Sequence, residues 1–391
     1  MKIIVLGGAG LMGRIAVKDL AASEGIDEVV IADRDTELAQ RVVNLLPRGR
    51  SKVSIAYTDV TDPEKLVTTL RGADSVLNAV HYYFNLDVMQ ACLRAGVHYT
   101  DLGGLFYNTR KQLALHDEFA RADLSAVLCL GSAPGVPNIQ SRYAADNLDT
   151  IDSIRIYDGI LPATGDDIRF GYAIPTIVDE LVMPPVVFRD GEWAEEEPLS
   201  GGEDYWFTPP VGLLHLHLSI HSEVATLPVS FREKGIRECT FKINYWGMSP
   251  ESFAKLELLA EYGFAGDKPV EVKGTPVKPR DMLETLLADS IPPLDAFVQE
   301  PADSNHWRKE IVTEVRGTKD GEALTYRLGT LTPDGSRPTG VAPSIAAQWL
   351  ASGRITTRGV FAPEVAIDPV PFFDELRQRG IVTRASVTRQ V

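Results

Sequence analysis

Short β-branched runs alternate with amphipathic stretches through the first third of the chain, the pattern of β-α units wound onto a parallel sheet. Strands are predicted over 2–6, 28–33, 53–57, 75–80, 97–101 and 126–130. Between them, 11–23, 36–46, 63–70, 86–95 and 111–122 carry apolar residues at i, i+3 and i+4, the helical period. Thr61-Asp62-Pro63-Glu64 has the cap-then-proline form of a helix start. Six strands suit a doubly wound Rossmann sheet. After Gly131 the character changes, because Gly131-Ser132-Ala133-Pro134-Gly135-Val136-Pro137 is a stiff loop suited to leading the chain out of a domain. Alternating segments follow, such as 153–157 and 238–245, consistent with an open sheet and scattered helices. The helical period returns at 342–350 and 372–379. The expected fold class is therefore α/β, with a dinucleotide-binding domain over 1–137, a second α/β domain over 138–339, and C-terminal helices over 340–391 that return to the first domain.

The glycine string between the first strand and first helix gives this scaffold a chemistry. Gly8-Ala9-Gly10-Leu11-Met12-Gly13 is G-x-G-x-x-G, with Gly8 expected to make the tight turn, Gly10 to let backbone approach a pyrophosphate, and Gly13 to let helix and strand pack closely. Asp33 ends the second strand about 20 residues further on, where a carboxylate accepts hydrogen bonds from an adenosine ribose. That carboxylate favours NAD. Arg34 leaves NADP open, since a guanidinium there grips a 2′-phosphate or stacks on adenine. Asp59 lies where it approaches the adenine, or serves only its own turn.

Composition narrows the partners. With 39 basic and 54 acidic residues the formal charge is −15, which argues against nucleic acid. No stretch has the roughly 20 apolar residues of a membrane span, and Met1-Lys2 runs straight into the first strand without a secretory leader, so a cytoplasmic protein is expected. Cys92, Cys129 and Cys239 are odd in number and far apart, which suits buried fillers better than disulfides or a metal centre.

Taken together, residues 3–13, Ala32-Asp33, residues 78–85, Gly96-Val97-His98-Tyr99-Thr100-Asp101-Leu102-Gly103-Gly104 and Ala133-Pro134-Gly135 resemble the saccharopine dehydrogenase-like family, and within it the lysine 6-dehydrogenases. The likeness extends to Val277-Lys278-Pro279-Arg280-Asp281 and the tail from Gly353 to Val360, and is looser beyond the first domain. It implies an NAD(P)-binding Rossmann domain joined to an α/β domain for substrate binding and dimerisation, and oxidation at a C–N bond of a small amino acid or amine. The lysine 6-dehydrogenase version converts a terminal amine to a semialdehyde plus ammonia. The chain departs from that pattern at His81 and at His221-Ser222-Glu223-Val224-Ala225. Two other readings stand beside it: reduction of an imine formed from an amine and a carbonyl compound, as in saccharopine- and carboxyspermidine-type enzymes, and a sensor or scaffold that binds the dinucleotide without turnover.

Ligands of open α/β sheets sit beyond the carboxyl ends of the strands, so Asn78, Ala79 and Val80 with Leu102 and Gly103 are expected around the nicotinamide, as Leu11 and Met12 are around the phosphates. An alkylammonium has a pKa of about 10.4, so oxidising it requires removal of a proton. His81 is the candidate acceptor, against a role as a partly buried imidazole lining the site. Asp101 is the candidate for orienting the ammonium, against one as a cap or supporting acceptor. His215, His217, His221 and Glu223 share one strand parity, but an extended chain spreads them over roughly 27 Å, too far to converge on a metal. No metal site is expected, and His221 and Glu223 remain substrate candidates. Arg169 and Arg232 are carboxylate-clamp candidates, and Tyr172 a pocket wall.

Overall fold

The computed structural model describes residues 1–161, 170–244, 247–299, 308–333 and 335–389. Six strands, β1 (Lys2–Leu6), β2 (Glu28–Asp33), β3 (Val53–Tyr57), β4 (Ser75–Asn78), β5 (His98–Asp101) and β6 (Ser125–Val127), form a parallel sheet in the order 6-5-4-1-2-3. The order reverses beside β1, so the glycine loop emerges at the crevice where such sheets bind ligands. Helices cover both faces. Leu20, Val42, Ile345 and Phe372 pack with Ile3 and Val5 on one side, while Leu66, Val88, Met89 and Phe119 pack with Ile4 and Leu6 on the other. A strand buried on both faces reads as continuous apolar sequence, which is why Ile3-Ile4-Val5-Leu6 shows no alternation.

Two elements differ from the sequence pattern for local reasons. The helix expected over 111–122 is a pair, Leu105–Leu113 and His116–Arg121. Its first part contains Phe106, Tyr107, Asn108 and Thr109, aromatic, β-branched and amide residues of low helix propensity, and is held by packing against the second domain. The strands expected to reach residues 80 and 130 stop at Asn78 and Val127, leaving the following backbone to line the crevice.

Among the described residues the second sheet has nine strands. Its central path is β10 (Glu203–Trp206), β11 (Leu213–Leu218), β12 (Glu238–Ile243), β7 (Thr150–Ile160), β15 (Lys309–Lys319), β16 (Glu322–Thr332) and β18 (Val382–Arg389), with β8 (Val186–Arg189) and β9 (Glu192–Glu195) attached through β12. β13 (Val270–Val272) and β14 (Thr275–Val277) form a separate hairpin. The C-terminal stretch serves both sheets, contrary to a purely helical return to the first domain. The helix Ser336–Ala351 packs on the first domain, β17 (Gly359–Phe361) adds a seventh parallel strand beside β6, and β18 crosses back to pair with β16. No helix among the described residues is long and apolar enough to cross a membrane.

Candidate active site

The turn at the end of β1 is shaped by Gly7 rather than Gly8. Gly7 holds φ at +69°, and a Cβ there would sit 3.0 Å from the Ala79 carbonyl, so the loop lies directly on the end of β4. Gly8 has no left-handed φ and packs under Ile31. A Cβ at Gly13 would fall 2.1 Å from the Gly7 oxygen, whereas at Gly10 it would meet only that oxygen, at 3.1 Å. The outer face of the loop at Gly10 is therefore open; the Arg14, Ile15 and Ala16 N–H groups bond back to the Gly10 and Met12 carbonyls, which leaves those of Leu11, Met12 and Gly13 at the mouth of the helix Gly13–Ala22 to fit a pyrophosphate.

Asp33 braces this loop. Its Oδ2 accepts from the Ala9 N–H at 3.0 Å and its Oδ1 from the Asp35 N–H at 3.0 Å, so one carboxylate joins the end of β2 to the phosphate loop. Arg34 is exposed beside it. Asp59 accepts from the N–H and hydroxyl of Thr61, forming its own turn, with Arg34 close enough to favour the carboxylate electrostatically.

A cavity of about 380 Å³ runs from this loop into the second domain. Leu11, Met12, Ala79, Val80, His81, Leu102 and Gly103 line its dinucleotide side. Asp158, Tyr172, Glu180, His221 and Lys309 line the other. Asn78 lies behind the wall, fully buried, donating to Asn85 and Tyr99.

Asp101 does not reach the cavity. It is completely buried and accepts from the N–H groups of Cys129 and Gly103, the Tyr99 hydroxyl, and the side-chain amides of Gln112 and Asn85. Burial pushes its carboxyl up and the Cys129 N–H pulls it back. With five donors it anchors the loops leaving β5 and β6, and leaves no oxygen for a substrate ammonium.

His81 does line the cavity, with Nε2 3.4 Å from the Thr176 hydroxyl and its ring 4.0 Å from that of Tyr83. Burial, with the nearby Arg280 charge, lowers its pKa from 6.5 to about 4 against the opposing pull of Asp179. It is neutral at pH 7, and a proton acceptor working there needs a pKa near 7. The unfolded chain binds a proton at this histidine between pH 4 and pH 6.5 and the folded protein does not, so this site destabilises the fold as pH falls through that window. Urea unfolding across the window is expected to show a shallower pH slope for His81→Phe than for the parent. Parallel slopes would contradict the lowered pKa.

The histidine cluster separates once β11 ends at Leu218. His215 pairs with Asp204 at 2.6 Å and His217 bonds the Leu199 carbonyl at 2.8 Å. His221 lies beyond the strand, its Nδ1 paired with Glu223 at the start of the helix Glu223–Ser230, and its ring stacks on Phe241 at 3.6 Å. Burial works against the imidazolium, but Glu223 together with Glu180 and Asp158 outweighs it and the His221 pKa is raised. Glu223 is absent from the cavity wall and holds His221, which lines it. No group of three or more His, Cys, Asp or Glu among the described residues is arranged to hold a metal.

Tyr172 lines the wall and donates to Glu180 at 2.7 Å. Arg232 is exposed on the short helical turn after residue 230 and does not line the cavity. Arg169 lies outside the described residues. The sequence reading missed Asp158 and Lys309, an ion pair at 2.8 Å with 3% and 6% exposure. One signal was present: Asp158 interrupts the apolar alternation of Ile154-Arg155-Ile156-Tyr157-Asp158-Gly159-Ile160. Its partner lies on β15, beyond what local pattern reaches.

A family model described as the saccharopine dehydrogenase NADP binding domain matches residues 3–127, and one for the saccharopine dehydrogenase C-terminal domain matches residues 131–381. The chain belongs to the saccharopine dehydrogenase family. Like its relatives it is an NAD(P)-dependent oxidoreductase, and the alternative of a sensor or scaffold without turnover is set aside. A carboxyaminopropylagmatine dehydrogenase from Synechocystis is 26% identical, covering 97% of this chain and 96% of that protein. A carboxynorspermidine synthase from Vibrio cholerae is 24% identical over the same shares. The solved apo saccharopine dehydrogenase (L-Glu forming) of Saccharomyces cerevisiae shares the fold, with a TM-score of 0.69 over 99% of both chains at 17% identity. The Synechocystis and Vibrio relatives carry carboxylated-polyamine names in place of the lysine 6-dehydrogenase likeness drawn from the sequence.

Proposed function

We propose that this protein makes, by reduction, the secondary C–N bond between a polyamine-like amine and a carboxyl-bearing carbonyl compound. The observation that carries the reading is the composition of the cavity. Opposite the dinucleotide loop, Asp158 and Glu180 present carboxyl groups suited to a polycation, while His221, its pKa raised, is suited to receive a carboxylate. The names of the relatives, which join a polyamine to a carboxyl group, support the same pairing. A bound nicotinamide dinucleotide supplies the hydride. The chain's own part is to hold the two reactants edge to edge, with Ala79, Val80, Leu102 and Gly103 as the apolar wall against the reacting ring.

The test is a panel followed by nicotinamide absorbance. Agmatine or a short diamine, mixed with an amino-acid aldehyde and reduced dinucleotide, is expected to turn over at least ~10-fold faster than lysine with oxidised dinucleotide, a difference of about 1.4 kcal/mol in barrier. Faster oxidation of lysine would restore the lysine 6-dehydrogenase reading.

Asp33 and Arg34 bear on which dinucleotide is used. Asp33 is engaged by two backbone N–H groups and is thereby less repulsive to a 2′-phosphate, while exposed Arg34 stands free to meet one. The proposal therefore includes NADP beside the NAD expected from Asp33 alone, and the matched family model bears NADP in its description. Arg34→Ala is expected to weaken NADPH binding by roughly 10-fold and NADH binding little, as read by fluorescence titration. An equal loss for both would remove Arg34 from phosphate recognition. The reading also includes the homodimer implied by the family resemblance, which sedimentation tests.

A further inference from the structure

At the floor of the cavity a buried carboxylate is only half used. Asp158 on β7 gives Oδ2 to the Lys309 ammonium at 2.8 Å, while Oδ1 has no hydrogen-bond partner although the residue is only 3% exposed. A buried carboxylate oxygen left without a donor is costly, and native structures usually fill such a position with a ligand, ion or water. Asp158 lines the cavity.

The surroundings decide what kind of donor fits. Lys309 is fixed from both sides: β15 pairs antiparallel with β7, and a Cβ at Gly335 would fall 2.9 Å from Nζ, so that ammonium is packed in place. Burial raises the Asp158 carboxyl and Lys309 pulls it back towards the charged form, without occupying Oδ1. His221 is held by Glu223 and stacked on Phe241, so it is not turned towards Asp158 as a second partner. Glu180 adds another carboxyl to the same cavity. An anion is therefore disfavoured at Oδ1, and a neutral hydroxyl makes the weaker hydrogen bond. The group that satisfies it best is a positively charged N–H.

We infer that Asp158 is the anchor for the cationic amine of the substrate: Oδ1 accepts from the substrate ammonium while Lys309 holds Oδ2. The inference rests on the proposed amine chemistry and narrows it, because it places the amine partner at β7 and leaves the carboxylate-bearing partner to the His221 side. Asp158 is a specificity residue in this scheme, and Lys309 is a positioning residue that acts through it.

Binding measured without turnover tests this. Putrescine is titrated by calorimetry into the full chain saturated with dinucleotide. Asp158→Asn is expected to weaken putrescine at least ~30-fold with dinucleotide affinity unchanged, the size expected for removing one partner of a desolvated charge contact. Because that substitution strands a buried ammonium, the paired change Asp158→Asn with Lys309→Met is measured beside it, removing both charges and sparing the fold. It is expected to melt near the parent temperature and to lose putrescine equally. Asp158→Glu, which keeps the carboxylate, is expected to recover most of the affinity. The inference is overturned if the paired variant binds putrescine as tightly as the parent, or if dinucleotide affinity falls in step with putrescine affinity. Putrescine held through Asp158 with no hydride transfer from any amine and carbonyl pair would instead remove the proposed reaction and leave the anchor standing.

Discussion

Gly13→Ala is expected to abolish dinucleotide binding and to destabilise the protein, whereas Gly10→Ala should weaken binding while leaving stability nearly unchanged. The contrast follows from what each new methyl group meets. At Gly13 it lands 2.1 Å from the Gly7 oxygen and 2.8 Å from the Gly8 Cα, all backbone, so helix and strand must separate. Overpacking of this kind costs about 1–3 kcal/mol, and the displaced helix mouth no longer presents its N–H groups to a pyrophosphate. At Gly10 the methyl group has one close neighbour at 3.1 Å and otherwise projects from the open side of the loop, where the phosphates would lie. Thermal melting without ligand and fluorescence titration with reduced dinucleotide separate the two effects. Equal melting temperatures for both variants, or parent-like affinity in Gly13→Ala, would contradict the loop geometry.

Asp179→Ala is the second large effect expected, at about 3 kcal/mol or more. Asp179, on the helix Ile174–Val182, is 4% exposed and accepts from the Tyr82 and Tyr83 hydroxyls at 2.6 Å each and from Arg280 at 2.5 Å. Burial, reinforced by the hydrogen bonds to Asp179, raises both phenol pKa values, so both tyrosines stay protonated donors. Deleting the carboxylate leaves three donors without it and, among the described residues, Arg280 with Asp267 and Glu284 as charge partners. Breaking a buried pair from one side costs about 3–5 kcal/mol when the remaining charge is left unpaired, and the partners that Arg280 keeps place the expected loss at the lower end. The tyrosines follow β4 and the aspartate belongs to the second domain, so the same change should loosen the cavity wall that carries His81. Tyr82→Phe combined with Tyr83→Phe keeps the Asp179–Arg280 pair and is expected to cost less stability, about 1 kcal/mol per hydrogen bond, while still raising KM. If the double tyrosine variant proves as unstable as Asp179→Ala, the ion pair is not the dominant element.

What was legible in advance had a local cause. The glycine string is legible because neighbouring residues form one turn, and the place of Asp33 beside it because that residue ends the adjacent strand. The thiols of Cys92, Cys129 and Cys239 follow the same rule: all three are buried, and desolvation raises their pKa values, as suits apolar filling. Asp101 and the 215–223 cluster misled for the converse reason. A carboxylate at a strand end looks like a ligand until its five donors are counted, three of which (Cys129, Gln112 and Asn85) come from other segments. A shared parity looks like a shared face only while the strand continues, and β11 stops at Leu218.

The sequence by itself determined the parallel dinucleotide-binding sheet, its phosphate loop and the family, because hydrophobic period and glycine spacing are properties of contiguous residues. Only the tertiary structure decided that Asp158 meets Lys309 across 151 positions, that burial lowers the His81 pKa, and that β17 and β18 return to different sheets. Those outcomes depend on which distant charges are buried together. Desolvation is set by the packed surroundings of a group, and no local pattern along the chain encodes it.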